Sequence, residues 1–236
     1  MVQKQSVYWM CFPGKWKFLM RYLVLAILLI VAGLLDCGAQ SKPTEACVFA
    51  FDGFATTPGQ KVQMAEVTQR AAVQLEACGS PKGCAQAPVA WGTPVQVYRQ
   101  QGEWTCGYVS GRDGAGPAWI RSSALRVVSY DEHPPLSAWV GTWTGGEDRV
   151  LIRTGGVPGK LQLVGSAEWR GKYTAHFGDT KGSASPVGNH LHFVEGGTDS
   201  CTIDMTLLNR YILANDNQAC GGLNARFQGI WKRTGP

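Results

Sequence analysis

The second half of the chain alternates between apolar and polar residues with a period of two. Between residues 136 and 233 about eight runs follow this rule, and each predicts a β-strand with one buried face. The last strand is predicted to extend from Leu223 to Trp231, with Ala225 and Phe227 on its buried face. About 12 residues for each strand and its turn are typical of an up-and-down barrel or a compact sandwich.

Composition places the whole chain in the all-β class. Gly accounts for 30 of 236 residues and charged residues for only 17%, and long helix-forming runs are missing after residue 40. The formal net charge is +5, but residues 1–39 carry four Lys or Arg and one Asp, a net of +3, which leaves +2 for the remainder. Because that remainder has no basic stripe, nucleic acid is not an expected partner.

An apolar run at residues 22–35 follows several basic residues, which is the order of a secretory signal peptide. The run is too short for a membrane span. Small residues at Cys37 and Ala39 predict cleavage after Ala39, so we expect a periplasmic or secreted protein that meets the membrane only before cleavage. The alternatives are an uncleaved anchor, a lipoprotein signal that ends at Cys37, and translation from Met20.

The chain contains 8 Cys, and the predicted cleavage removes Cys11 and Cys37. An even number of cysteines in an exported protein predicts disulfides, and none of those that remain belongs to a Cys-x-x-Cys motif typical of metal sites. The mature protein should begin at Gln40 and contain no free thiol, with the pairing among the first four cysteines left open. The predicted disulfide cysteines are Cys47, Cys78, Cys84, Cys106, Cys201 and Cys220.

Cys201 and Cys220 are predicted to pair with each other. They flank residues 213–218, whose Asn and Asp side chains are typical of a hairpin turn. Cys201 lies two residues before Ile203 and is therefore expected on the same inward face of its strand. The bridge should then join neighbouring strands at one end of a barrel. In the chain-entropy account a loop of this size is stabilised by about 3 kcal/mol.

Residues 130–135 interrupt the strand pattern. Their two consecutive prolines continue neither a strand ladder nor a helix. We therefore predict a signal peptide at 1–39, a first domain at 40–129, a linker at 130–135 and a second domain at 136–236. The cysteines fall on either side of the linker in even numbers, so each domain can close its own disulfides.

Three motifs of the first domain resemble the bacterial SH3 family. In chain order they are Gly92 with Val95 and Val97, Gly102-Glu103-Trp104, and Trp119-Ile120 followed by Leu125. The resemblance implies an SH3-like barrel ahead of the second domain. Residues 58–64 occupy the position of the family's first strand, and residues 64–75 are equally consistent with a short helix.

The resemblance to bacterial SH3 domains also implies cell-wall peptides or proteins as ligands. SH3-like barrels hold short peptides with aromatic side chains between their loops. The candidate ligand-binding residues are Tyr98, Trp104, Tyr108 and Trp119. Trp104 and Trp119 are equally well explained as core residues, whereas the two tyrosines carry a polar group that favours partial exposure.

The second domain begins and ends with the same short motif. Gly141-Thr142-Trp143 lies in its first strand and Gly229-Ile230-Trp231 in its last. A Gly-x-Trp motif in the first strand is similar to the opening of lipocalins and other calycin barrels. Matching motifs at the two ends imply that the first strand pairs with the last, giving a small antiparallel up-and-down β-barrel.

No catalytic, metal or cofactor site is predicted. His190 and His192 share one strand face and, with His176, are the candidates for a metal site, but the alternation that buries Leu191 and Phe193 turns both outward. The chain has no Gly-x-Ser-x-Gly motif, phosphate-binding loop or dinucleotide fingerprint. Residues 215–217 offer oxygen donors for calcium, with a plain turn as the expected alternative.

These observations favour an exported, non-enzymatic binding protein of the cell envelope, which recognises cell-wall peptide or a periplasmic protein through an SH3-like module. The alternative is an inhibitor or immunity protein against a wall-degrading enzyme such as a lysozyme or amidase, with that secreted hydrolase as its partner. A third hypothesis is a carrier that holds one small hydrophobic ligand inside the second barrel.

Overall fold

The computed structural model describes residues 45–47, 62–68, 89–110, 116–196 and 200–235, and these are all-β. The predicted signal peptide and its cleavage site lie outside the described residues, as do Cys78 and Cys84. Among the described residues no helix is long and apolar enough to span a bilayer. The strands form two antiparallel sheets, one of five strands and one of eight.

The first sheet contains five short strands. They are β1 (Gln63–Val67), β2 (Pro94–Gln101), β3 (Trp104–Val109), β4 (Gly116–Arg121) and β5 (Leu125–Val128), in the spatial order β4-β3-β2-β1-β5. A single 3-10 helical turn, Ser122–Ala124, connects β4 to β5. Buried valines, Ile120 and the small residues Ala118 and Ala124 form the core of this sheet.

The helix considered for residues 64–75 is wrong over the part that the structure describes. Met64 pairs with Gln96 of β2 on one side and with Val128 of β5 on the other. Hydrogen bonds to two neighbouring strands outweigh the weak local preference for a helical turn. Residues 69–75 lie outside the described residues.

The second sheet is a near-closed barrel of eight antiparallel strands, as predicted. They are β6 (Gly141–Gly145), β7 (Asp148–Thr154), β8 (Leu161–Arg170), β9 (Ala175–Ala184), β10 (His190–Val194), β11 (Thr202–Leu208), β12 (Tyr211–Asp216) and β13 (Gly229–Gly235). Consecutive strands are neighbours, and β13 pairs with β6 through Arg233 and Trp143, which confirms that the first strand meets the last. The break in the ladder falls between β9 and β10, where the Glu195 carboxylate accepts hydrogen bonds from Thr180 Oγ1 and the Lys181 amide.

Inward-facing side chains pack together inside the barrel. The largest of them are Trp139, Trp143, Trp231, Phe193 and Phe227, and all are fully buried. The period-two alternation of the sequence therefore predicted the inward positions of Phe193 and Phe227 correctly. Large aromatic side chains occupy the interior in which the carrier hypothesis would place a ligand.

Both disulfides that the structure describes link residues distant in sequence, and they join Cys47 to Cys106 and Cys201 to Cys220. The second bridge connects the residue before β11 to the loop after β12, so it links neighbouring strands at one barrel end as predicted. The predicted turn of this hairpin is wrong, because the chain turns at Asn209 and Arg210. Asn209 has a φ of 62°, a left-handed conformation typical of a tight turn. Residues 213–216 belong to β12 instead.

The strand predicted from Leu223 to Trp231 is also too long. β13 begins at Gly229, and the side chain of Leu223 is 73% exposed. The carboxylate of Asp216 accepts hydrogen bonds from the amides of Gln218 (3.0 Å) and Phe227 (2.7 Å). These bonds hold residues 217–228 as a loop that returns to the end of β12.

The two sheets share a second hydrophobic core. Outward-facing residues of β12 and β13, Tyr211, Leu213 and Ile230, pack with Met64 of β1 and with Val62, which precedes that strand. Glu66 of β1 is buried beside this core. Its carboxylate accepts hydrogen bonds from Arg210 Nη2 (2.6 Å), Arg210 Nε (3.0 Å), the Tyr211 hydroxyl (2.9 Å) and Arg126 Nη2 (3.0 Å). The described residues of both sheets thus belong to one compact unit.

Candidate functional site

A groove of about 1170 Å³ lies at one end of the barrel and extends to the first sheet. Its walls come from the β6–β7 turn, the end of β8, the end of β12 with the following loop, and the start of β13. Pro94, Tyr108 and Ser110 of the first sheet complete one side. A cleft of this size with several converging polar groups is the expected form of a ligand-binding site.

Asp148 is the most perturbed ionisable group of the groove. It is the first residue of β7 and faces the barrel interior, as Val150 does, so only 9% of it is exposed. Burial, together with the negative charges of Asp216 and Glu147, raises the pKa of Asp148 to about 7. A hydrogen bond from the backbone amide of Glu168 acts in the opposite direction. Asp148 is therefore poised to exchange a proton near neutral pH.

Asp216 is the second buried carboxylate of the groove, and its role is structural. Each of its two oxygens accepts one backbone hydrogen bond, from Gln218 or from Phe227. These bonds position the loop that supplies Asn224 and Arg226 to the groove wall. The loop is held a second time by the Cys201–Cys220 disulfide.

Trp169 adds an aromatic surface to the groove at the end of β8. Its ring stacks against His176 of β9 with 5.5 Å between the ring centroids. The neighbouring Glu168 forms an ion pair with Arg170, with 2.5 Å between the charged atoms. An indole face next to polar groups can contact the apolar part of a ligand or a cation.

The four aromatic residues predicted to bind ligand lie in different places. Tyr108 lines the groove and is partly buried, which raises its pKa. Tyr98 is 58% exposed on β2 and is not among the groove residues. Trp104 and Trp119 are buried around the Cys47–Cys106 disulfide.

Arginine side chains cover both of these tryptophans. The guanidinium of Arg121 lies 4.8 Å from the ring centroid of Trp104, and that of Arg99 lies 5.1 Å from the ring centroid of Trp119. The indole N–H of Trp119 donates a hydrogen bond to the backbone carbonyl of Glu45 (2.8 Å). These contacts place the two tryptophans in the packing of the first sheet rather than in the groove.

The histidine candidates do not converge on a site. His190 and His192 point outward from β10 as predicted, and they contact Thr206 (3.0 Å) and Asp204 (2.6 Å) on β11. His176 lies against Trp169. Within the described ranges no group of three or more potential metal-ligating side chains occurs.

The oxygen donors considered for calcium also serve the fold. The Asn217 side-chain oxygen accepts hydrogen bonds from the amides of Thr202 and Ala219, and its amide group donates to the Ser200 carbonyl. Both carboxylate oxygens of Asp216 accept backbone hydrogen bonds. Residues 215–217 thus connect β12 to the following loop.

Sequence reasoning did not predict the groove. No sequence motif distinguishes Asp148 from other acidic residues of the second domain such as Glu147, Glu168 and Asp204. Asp148, Asp216 and Tyr108 are far apart in sequence and meet only through the barrel and its packing on the first sheet. One local signal was present, because a carboxylate at an inward-facing strand position interrupts an apolar series.

Comparison with known proteins adds no identification, since no family model, curated protein or solved structure matches the chain.

Proposed function

We propose that the chain is an exported, non-enzymatic binding protein of the cell envelope, which recognises a cell-wall peptide in the groove at the end of the barrel. The groove itself carries this proposal. It combines amide side chains such as Asn215 and Asn224, carboxylates, and the aromatic rings of Tyr108 and Trp169. Such a lining offers donors, acceptors and apolar surface to a peptide.

The two disulfides support the location. Cys47–Cys106 and Cys201–Cys220 indicate an oxidising environment, as found outside the cytoplasm. The second bridge also stabilises a wall of the groove, because it fixes the loop after β12. An oxidising compartment therefore favours the form of the protein in which the groove is complete.

A binding role also agrees with the chemistry of the groove carboxylates. Asp216 already accepts two backbone hydrogen bonds, and Glu168 is paired with Arg170. Glu147 is exposed on the β6–β7 turn. These three carboxylates hold the loop, pair with an arginine or face solvent, and the fourth, Asp148, is left to contact a ligand.

A second candidate function, inhibition of a wall-degrading enzyme, is favoured by one observation. Tyr173 is 87% exposed, Phe177 is 62% exposed and Leu223 is 73% exposed. Phe177 and Leu223 belong to adjoining segments, since the amide of Gly222 donates a hydrogen bond to the Phe177 carbonyl (3.0 Å). Large exposed hydrophobic side chains near a groove are typical of protein-protein interfaces.

Cosedimentation with purified cell wall tests the proposal. The wild-type chain should be retained, and Tyr108→Ala should weaken retention by about 1 to 3 kcal/mol, the range of an interface anchor. Tyr98→Ala is the matched control, because Tyr98 lies outside the groove, and it should bind as the wild type does. The unfolding midpoint of each variant separates loss of binding from loss of folding.

Two results would count against recognition of wall in the groove. One is absence of retention for the folded wild-type chain. The other is loss of retention in Tyr98→Ala but not in a folded Tyr108→Ala variant. A stoichiometric complex with one purified lysozyme or amidase, disrupted by Phe177→Ser and formed without retention on wall, would establish the inhibitor role instead.

A further inference from the structure

The geometry points to a primary ammonium group of the ligand as the chemical feature that the groove recognises, with Asp148 as its ion-pair partner. This inference rests on the proposed function and specifies its ligand. It concerns the end of the groove formed by the β6–β7 turn and the end of β8.

Asp148 is buried without adequate compensation. Its side chain lines the groove although nine-tenths of the residue is buried. Its one hydrogen-bond donor in the described part of the chain is the backbone amide of Glu168, and no described lysine or arginine forms an ion pair with it. A carboxylate has about four lone-pair sites, so most of its acceptor capacity is left for a ligand.

The charge around Asp148 favours a cation. Glu147 precedes it on the turn, Asp216 faces it from β12, and both disfavour its ionised form. Among the groove residues, Glu168 of β8 is neutralised by Arg170, while Arg226 and Lys232 are the basic side chains of the wall. Carboxylates thus outnumber basic residues in the lining, and an added positive charge next to Asp148 would relieve the repulsion among them.

A primary ammonium group fits this site better than a metal ion or a guanidinium group. The described residues do not assemble three metal-ligating side chains here. A guanidinium group is planar and prefers two parallel hydrogen bonds, whereas an ammonium group is a compact charge with three donors that suits one partly occupied carboxylate. The half-buried ring of Trp169 in the same groove offers a surface for the alkyl stem that carries the ammonium group.

The binding should strengthen as the pH rises. Because the pKa of Asp148 is raised to about 7, much of it is protonated in the empty groove at neutral pH. A bound ammonium ion favours the ionised carboxylate, so binding releases a proton from Asp148. The affinity for the amine should therefore increase as the pH rises through about 7. A lysine-type amine stays charged throughout this range, so the change reports on Asp148.

Two matched small molecules test the inference on the full chain. The probe is N-acetyl-lysine methylamide, and its uncharged counterpart is N-acetyl-norleucine methylamide. In amide NMR spectra the lysine derivative should shift the signals of Gly146 and Glu168, and the norleucine derivative should not. Asp148→Asn should reduce affinity for the lysine derivative about tenfold or more, the effect of losing a buried charged partner. Asp204→Asn, which removes a carboxylate outside the groove, should leave it unchanged.

Equal binding of the two derivatives, or undiminished affinity in a folded Asp148→Asn variant, would overturn the inference. Acetylation of the amino groups of purified wall distinguishes the sources of the amine. Loss of retention after acetylation supports an amine of the wall as the ligand group. Unchanged retention overturns the wall as the source of the amine. If unmodified wall is retained through Tyr108 but the lysine derivative does not bind, the inference fails while the proposed function stands. If the lysine derivative binds at Asp148 but wall does not, wall recognition fails, and a lysine side chain of a partner protein becomes the ligand.

Discussion

Replacement of Asp148 by asparagine should change the pH dependence of folding stability. The raised pKa means that the native state binds this proton more tightly than the unfolded chain does. The contribution of this carboxyl group to stability is therefore full below the unfolded pKa of 3.8 and is lost as the pH rises to the folded pKa of about 7. This difference in pKa corresponds to at most about 4 kcal/mol.

The amide side chain introduced by Asp148→Asn cannot ionise, so the variant should escape this loss. Urea unfolding of the wild type and of Asp148→Asn across this pH range measures the effect. The variant's free energy of unfolding should rise relative to the wild type between about pH 4 and about pH 7 and then stay level. Asp204→Asn is the control, because Asp204 is partly exposed and paired with His192. A constant difference between wild type and Asp148→Asn at all pH values would refute the assignment of Asp148 as a buried, uncompensated carboxylate.

Three further variants test the packing within and between the two sheets, each by chemical denaturation. Glu66→Gln should cost about 2 kcal/mol at neutral pH, because it weakens four hydrogen bonds that Glu66 accepts from partly exposed arginines and a buried tyrosine. Although burial acts to raise the pKa of Glu66, these bonds lower it below its ordinary value of 4.5, so the cost should shrink as the pH falls below 4.5 and the wild-type carboxylate becomes protonated. Replacing Cys201 and Cys220 together by serine should cost about 3 kcal/mol, and equal stability with and without reductant in the wild type would contradict a structural bridge. Gly145→Ala should cost about 1 to 3 kcal/mol, because its Cβ would collide with the Trp231 ring, and an unchanged midpoint would show that the ring can move.

The barrel could be predicted from the sequence because period-two alternation records directly which side of a strand is buried. Leu191 and Phe193 are buried where His190 and His192 point outward, and the first strand of the barrel pairs with the last. The Cys201–Cys220 bridge was predicted correctly although the turn that suggested it is misplaced, and its position at a barrel end followed from the inward-facing position of Cys201. Each of these predictions depends only on neighbours along one strand or on the two ends of one domain.

The predictions that failed depend on longer-range bonds. Asn and Asp residues at 215–216 resemble a turn, but backbone pairing with β11 keeps them in β12, and the Asp216 carboxylate then folds the next residues into a loop. The sequence also left the burial of Trp104 and Trp119 undecided, since an aromatic residue of a small domain suits a core or a ligand site equally well. The groove was beyond sequence reasoning, because its walls come from both sheets.

The central claim is that the groove at the end of the barrel binds a cell-wall peptide. Amide NMR spectra of the full chain, recorded during titration with soluble peptide fragments of purified wall, test it most directly. The largest shifts should map to residues that line the groove, namely Gly146, Glu168, Asn224 and Arg226, and they should weaken in a folded Tyr108→Ala variant. Shifts confined to the exposed face around Tyr98, or no shifts at all, would contradict the claim.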